Sequence, residues 1–435
     1  IQEEFKSSRA LVREELIDDK LNIDFIIEES TKFFVEKVNI YGNNITQENV
    51  IRNQLELDEG DPFNEILFTR SINNLKSLNF FKDVKTEIID NNDEETKTLI
   101  INVEEKPTGE IMAGAGFGTS GTSTTFGVKE NNYLGNGLKL DAKLNLSEES
   151  VKGKLSIQNP NFNNSDKSIY VNVQSSETDK LTDSGYKTSK TGFTLGTNFE
   201  YYDDFFLGTS INSYYESIET DSTASSQQKK LKGNYFDNFL SLNFDLDKRN
   251  QKFQTTQGFR NYFATDFPII SETNTLSNTL ILTNYFEYFE NHVLKSSFYF
   301  KNSNSISDKN IKLSERLYLP SNRLRGFESG KVGPKDGNDF IGGNYITSIN
   351  FSSDVPKILE NSQTTDIKIF LDIANVWGVD YDSSLEKSDD IKSAFGVGLD
   401  WFSPIGPMNF SLSQHLSKGS NDITESFRFN LGTTF

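Results

Sequence analysis

The residues best equipped for chemistry are few and poorly placed for it. In 435 residues there are two histidines, His292 and His415, far apart in sequence. Neither sits in an H-E-x-x-H or a Ser-His-Asp order, so no zinc site or activated nucleophile can be drawn from them. Cysteine is absent, which removes disulfides and thiolate ligands and suits any compartment, an oxidising periplasm included. Gly116-Phe117-Gly118-Thr119-Ser120-Gly121 matches a dinucleotide fingerprint, but the pattern predicts no helix after it to receive a pyrophosphate. The acidic pairs Asp18-Asp19, Asp203-Asp204 and Asp389-Asp390 fall at termini and loops, where charge is solvated. Asp90–Glu95 lacks the spaced ligands and central glycine of a calcium loop. These residues describe a protein that is not an enzyme and has no metal site or cofactor.

One charged stretch remains. Arg323-Leu324-Arg325-Gly326-Phe327 continues through Gly330 and Gly333-Pro334, inside a long polar connection spanning 306–341. Glycine and proline mark turns, so taken locally it is a surface turn with one stray aromatic. Its meaning depends on the elements that flank it.

Hydrophobic residues make up 35% of the chain, yet aromatics reach 12%, with 36 Phe and 16 Tyr. A Phe- and Tyr-rich but otherwise polar chain fits a transmembrane β-barrel, whose strands show lipid every second residue. The aromatic content argues against disorder, the other reading of low hydrophobicity and high charge. The net charge of −19 excludes a nucleic-acid partner, which needs a basic face. Residues 1–108 carry 13 Lys and Arg against 24 Asp and Glu, so this part reads as a separate soluble region. No apolar run approaches the ~18–20 residues of a transmembrane helix. The chain starts at Ile1 with no signal peptide, as a processed protein or a fragment would.

Residues 1–30 read as the end of a preceding domain, with a strand at Leu21–Ile27. Residues 31–108 form a compact α+β unit. A strand at Phe34–Tyr41 leads to the turn Gly42-Asn43-Asn44. Thr46 stands at a helix N-cap position, with Ile45, Val50, Ile51 and Leu55 at helical spacing. A second helix spans Asn64–Leu78, and strands follow at Val84–Ile89 and Thr98–Val103, giving the order β-α-α-β-β. From 109 to 435 the helical period disappears. Sixteen segments of about ten residues alternate apolar and polar between Gly, Asn, Asp and Ser clusters, from 111–118 to 424–435. Within 365–377, Ile367, Ile369, Leu371, Ile373 and Trp377 share one face, while Lys368, Phe370, Asp372 and Ala374 share the other, the lumen face. In the last segment Phe427, Phe429, Leu431 and Phe435 lie opposite Arg428, Asn430 and Gly432. The first segment, Ile111 to Gly118, is thin and glycine-rich through Ala113, Gly114, Ala115, Gly116 and Phe117, and glycine weakens strands. Closing the barrel pairs this strand with the last, so two weak edges meet at one seam.

Several stretches together resemble one family. The β-α-α-β-β unit, with Gly42-Asn43 after its first strand and Phe80-Phe81-Lys82-Asp83-Val84 opening its second, resembles a POTRA domain. Asn159-Pro160-Asn161-Phe162 resembles an Asn-Pro-Tyr-Phe turn. Asp247-Lys248-Arg249-Asn250, with Phe253 and Thr256-Gln257-Gly258, resembles a D-x-R-x-x-x-F-x-T-x-G stretch. Arg325-Gly326-Phe327 with Gly333-Pro334 and Gly342-Gly343-Asn344 resembles a Val-Arg-Gly-Phe loop and the strand after it, with Leu324 in place of Val. Phe370 to Trp377 resembles the next strand, and Phe395 to Pro407 the penultimate hairpin. The terminal Phe435 resembles the sorting signal of outer-membrane proteins, carried here by Phe427, Phe429, Leu431 and Phe435. In this order, over about residues 31–435, the set is similar to BamA, the outer-membrane-protein assembly factor family.

The resemblance implies a sixteen-stranded outer-membrane barrel with its POTRA domain in the periplasm. Unfolded barrel proteins would be its substrates, and accessory lipoproteins and outer-membrane lipids its partners. It implies that Arg325 folds into the lumen to meet Asp372; where the family adds a Glu one strand earlier, this chain has Asn350. The POTRA edge strand, Val84, Lys85, Thr86, Glu87 and Ile88, would receive substrates by β-augmentation. The seam between 111–118 and 424–435 would open to template an incoming strand. A two-partner secretion translocator and a passive channel are the alternatives; the former usually carries Arg-Gly-Tyr where this chain has Phe327.

Overall fold

The computed structural model describes the chain apart from residues 1–7, 18–19, 30–31, 92–94, 120, 253–254, 290–291, 356–364, 382–384, 386–389, 404–405 and 432–435, and apart from the side chains of 8–29, 164, 402–403 and 406–407. Phe253, Asp389, Pro404, Gly432 and Phe435, all used in the sequence reading, therefore lie outside the described residues. Contacts divide the chain into two units, one of residues 1–110 with 129–140 and one of the remainder.

In the first unit β1 (Ser8–Ile17) pairs with β2 (Lys20–Glu29), Arg9 lying opposite Glu28. Then come β3 (Phe34–Tyr41), α1 (Glu48–Arg52), α2 (Glu65–Ser77), β4 (Phe81–Asn91) and β5 (Thr96–Glu105). The sheet order is β3-β5-β4, with β3 parallel and β4 antiparallel to β5. Val35, Val38, Ile51, Leu75, Leu99 and Ile101 form the core between sheet and helices. Asn64 caps α2 by accepting from the amides of Ile66 and Leu67, which fills donors that a helix start leaves open. The expected cap at Thr46 is not one. Gln47 occupies the N-cap of α1 with no side-chain bond, and the Thr46 hydroxyl accepts from Asn132 Nδ2 at 2.9 Å. A long-range partner displaced the local one.

The second architecture is a closed, antiparallel, sixteen-stranded barrel. It starts with β6 (Gly109–Gly118), β7 (Gly121–Tyr133), β8 (Leu138–Ser147), β9 (Ser150–Asn159) and β10 (Ser168–Lys180). After the one-turn α3 (Leu181–Ser184) come β11 (Tyr186–Tyr202) and β12 (Phe205–Thr220). The short α4 (Ser226–Lys230) leads to β13 (Gly233–Asp247), β14 (Gly258–Ile270), β15 (Thr275–Phe289) and β16 (His292–Ser305). The two-residue strands β17 (Lys335–Asp336) and β18 (Asp339–Phe340) lie within the following connection. The barrel resumes with β19 (Tyr345–Asp354), β20 (Thr365–Trp377), β21 (Lys392–Ser403), β22 (Gly406–Ser417) and β23 (Phe427–Leu431). Alternation is the reason these segments become strands: in lipid every backbone N–H must be paired within the protein, and a closed sheet achieves that with every second side chain facing out. Val171, Val173, Phe193, Leu195 and Ile211 point out and are exposed. Phe370, Asp372, Ala374 and Val376 point in and are buried. No helix among the described residues is long and apolar enough to cross a membrane. The glycine fingerprint at 116–121 spans the end of β6 and the start of β7, with Gly121 at φ 98°.

Candidate functional site: the lumen loop and the seam

The connection 306–341 touches inward-facing residues of β12 and β13 and of β16, β19 and β20 at once. Only the barrel interior gives access to both sets. Leu317, Leu319, Leu324, Phe327 and Val332 pack with Tyr299, Ile346, Ala374, Val376 and Ala394 into one buried cluster inside the wall. Phe327 is 1% exposed, and full burial of such a side chain contributes about 2–3 kcal/mol.

Arg325 is held by a complete fork. Its Nε donates to Asp372 Oδ2 at 2.7 Å, its Nη2 to Oδ1 at 2.8 Å, and its backbone N–H to Oδ2 at 3.0 Å. The guanidinium lies 3.5 Å from the centroid of the Phe370 ring, one inward position before Asp372. Such bidentate pairs are the strongest and most geometrically demanding charge contacts available to a side chain. Asn350 lies directly opposite Asp372 in the ladder. Its Nδ2 donates to Asp372 Oδ1 and to the Arg323 carbonyl, each at 2.8 Å. The position therefore adds a donor to the carboxylate instead of a second countercharge to Arg325. Arg323 turns the other way, donating to Ser297 Oγ at 2.9 Å and lying over Tyr299. Gly326 takes φ 87°, and a Cβ there would sit 3.0 Å from the Ala394 Cβ and 3.1 Å from that of Ser413. Glycine is thus required twice, for the left-handed backbone and for the close approach to β21 and β22.

A second anchor has no counterpart in the sequence reading. Lys312, 1% exposed, contacts Glu216 of β12 at 3.3 Å, Asp237 of β13 by a short ion pair, and Glu315 at 3.2 Å. Glu315 in turn accepts from Thr275 Oγ1 at 2.7 Å. Burial opposes the charge on Lys312, but Glu315, Glu216 and Asp237 outweigh it and hold the ammonium above its ordinary pKa. Glu216 and Asp237 lie diagonally on one inward face, which is the signal that could have announced a cation from elsewhere. Replacing Lys312 with Met should strip two buried carboxylates of their counterion, at a cost of about 3–5 kcal/mol. The melting temperature of the detergent-solubilised barrel is expected to fall, and to recover largely when Glu216→Gln and Asp237→Asn are added. Equal stability of Lys312→Met and the parent would contradict this anchor.

Further out, Arg316 pairs with Asp380, and Lys331 with Asp183 of α3. Near the other end of the barrel Arg249 forks onto Asp247, and Arg260 onto Asp245. The Asp-Lys-Arg stretch therefore braces its own turn.

The seam lies between β23 and β6. Among the described residues its ladder has two pairs, Asn430 with Gly118 and Leu431 with Phe117, plus one bond from Thr119 N–H to the Phe429 carbonyl at 3.2 Å. By contrast β11 and β12 pair from Tyr186–Thr220 to Tyr202–Phe205. At Gly118 a Cβ would lie 2.5 Å from the Phe429 carbonyl oxygen. Phe117 and Phe429 meet on the outer face, 5.7 Å between centroids. Ala113, Ala115 and Phe117 face out, while Gly116 is buried. Phe427, Phe429 and Leu431 alternate with Arg428, whose side chain turns into the lumen instead of across the seam. In the other unit β4 is a free edge of its sheet; Val84 is buried, and Lys85, Thr86, Glu87 and Ile88 are all exposed. His292 and His415 stand in β16 and β22, and no group of metal-ligating side chains occurs among the described residues.

Comparison with known proteins agrees with this architecture. Residues 132–435 match the model of the Omp85 superfamily domain, and residues 33–106 match a POTRA model described as a surface antigen variable number repeat. The chain is 24% identical over 451 residues to the outer membrane protein assembly factor BamA of Nitratidesulfovibrio vulgaris, covering 95% of this chain and 53% of that protein. It spans about half the length of the curated relatives it matches. Among solved structures, that of BamA from Haemophilus ducreyi lacking POTRA domains 1–3 superposes with a TM-score of 0.85 at 20% identity, covering 99% of this chain and 90% of that one. CdiB from Acinetobacter baumannii gives 0.57 at 13% identity, covering 99% and 78%.

Proposed function

Because this chain belongs to the Omp85 superfamily, we propose that it assembles β-barrel proteins into the bacterial outer membrane, with its POTRA domain in the periplasm. The observation that carries this reading is the seam. Unpaired backbone groups are expensive in lipid, so a barrel normally gains from a long ladder at every interface. Here the first strand is glycine-rich, and among the described residues its ladder to the last strand has two pairs, far fewer than the ladder between β11 and β12. Among the described residues, parting these two strands breaks fewer bonds than parting β11 from β12. The exposed edge can then pair with a strand of an incoming protein. The work is templating, with no covalent step, so the protein is a catalyst only in the kinetic sense. The free β4 edge would hand over substrates in extended form by adding them to its sheet. Accessory lipoproteins and outer-membrane lipids complete the proposed set of partners. A passive channel fits less well, since the lumen connection packs an apolar cluster where a pore needs water.

The test is reconstitution of the full chain in lipid vesicles with a urea-unfolded barrel protein. Gain of heat-modifiable mobility by the substrate should be faster than in protein-free vesicles. An unchanged rate would contradict the reading. In the bacterium, depletion should lower many unrelated barrel proteins; loss of one exported partner alone would favour a secretion translocator.

A further inference from the structure

We propose that Arg428 is a positioning residue that fastens the lumen loop to the last barrel strand, so that loop and seam change state together. This rests on the seam being the moving part, as in the function proposed above, but it concerns a different contact.

The geometry is specific. Arg428 Nη1 donates to the Ser321 carbonyl at 2.8 Å and Nη2 to the Phe327 carbonyl at 2.6 Å. Those two carbonyls flank the tip that carries Arg323 and Arg325. Glu425 orients the fork, accepting from Nε at 3.0 Å and Nη2 at 2.8 Å. The guanidinium is almost fully buried, at 8% side-chain exposure. The chain leading into β23 continues the attachment through its backbone. Glu425 N–H donates to the Gly326 carbonyl at 3.1 Å, Glu328 N–H to Ile423 at 2.9 Å, and Ile423 N–H to Lys331 at 3.1 Å. Phe327 and Thr424 form an antiparallel bridge. Asp422 accepts from Gly333 N–H at 3.0 Å. On the other side β6 ends at Gly118, level with Asn430. The start of β23 is thus bonded to the loop from inside, at the level where β6 has ended.

Two anchors then hold one tip. Arg325 ties it to β20, and Arg428 ties it to β23, with β21 and β22 between them in the barrel order. A displacement of β23 must either carry the tip against the Arg325–Asp372 fork or break the Arg428 bonds. By linkage, the factor by which releasing the tip eases β23 equals the factor by which parting β23 eases the tip.

This chain lacks cysteine, so two reporters can be placed cleanly in it in vesicles. Leu324→Cys, at a buried tip position, reports loop release by its maleimide labelling rate. Phe117→Cys with Leu431→Cys, a paired position, reports seam closure by its disulfide yield. Arg428→Gln removes charge-assisted bonds and should raise Leu324→Cys labelling about tenfold, while lowering the seam disulfide yield. Arg428→Lys should fall between, since it keeps the charge and loses the fork. It also supplies the measurement if Arg428→Gln shows no heat-modifiable folded band. Unchanged loop labelling in a folded variant would overturn the proposal. So would faster labelling with an unchanged seam yield, which would make Arg428 a purely local contact. Neither readout needs insertion activity, so failure of the assembly reading would appear separately, as coupled reporters in a protein that inserts nothing.

Discussion

Replacing Arg325 with alanine is expected to free the lumen loop and to depress barrel insertion strongly. Asp372 is fully buried and accepts three bonds from Arg325 and one from Asn350. Without the guanidinium, the carboxylate keeps one amide and one backbone N–H. Breaking a buried pair by removing one partner costs about 3–5 kcal/mol. Arg325 retains 23% side-chain exposure, so the lower end, about 3 kcal/mol, applies, or roughly a hundredfold in the ratio of docked to released loop. Stacking on Phe370 is lost as well. Protease added from outside should cut the variant within the connection and leave the parent intact, and insertion should drop in parallel. Arg325→Met combined with Asp372→Asn should do less harm than Arg325→Ala alone, because no buried charge is stranded. Parental protease resistance together with parental insertion in Arg325→Ala would remove the pin from the account.

In the barrel, what could be read from the sequence was whatever a period of two controls. Alternation through β20 put Phe370, Asp372 and Ala374 on one face, and these residues are buried inward. Lipid and lumen impose that period on each strand independently, so it survives in a single chain without relatives. Partners from irregular chain left no such trace. Lys312 lies in the 306–341 connection, and its partners Glu216 and Asp237 are 96 and 75 residues away. Alternation turned Arg428 inward, but its acceptors Ser321 and Phe327 are fixed by the course of a loop more than 100 residues earlier. Asn350 stood out as a departure because a residue type was compared with a residue type. Register explains it: placed opposite Asp372, an amide gives the carboxylate a donor without adding like charge. Thr46 was misread for the same kind of reason, since a cap rule sees three residues ahead and not the Asn132 that takes the hydroxyl.

Locking the seam is expected to have the largest effect of all. Phe117 and Leu431 are paired across β6 and β23. The neighbouring bond from Thr119 to Phe429 makes theirs a hydrogen-bonded pair, in which Cα atoms lie about 5.5 Å apart, within the range a disulfide spans. If insertion proceeds through a parted seam, a covalent bond there removes the route altogether, whatever the state of the loop or the POTRA edge. A disulfide elsewhere, such as Thr197→Cys with Thr209→Cys in the β11–β12 ladder, leaves the route open and controls for oxidation. The decisive measurement is the insertion rate of an unfolded barrel protein into vesicles holding Phe117→Cys/Leu431→Cys protein, oxidised and then reduced. Loss of insertion in the crosslinked form, with recovery on reduction and none lost in the control, is the expected result. Insertion at the reduced rate by fully crosslinked protein would contradict lateral opening at this seam.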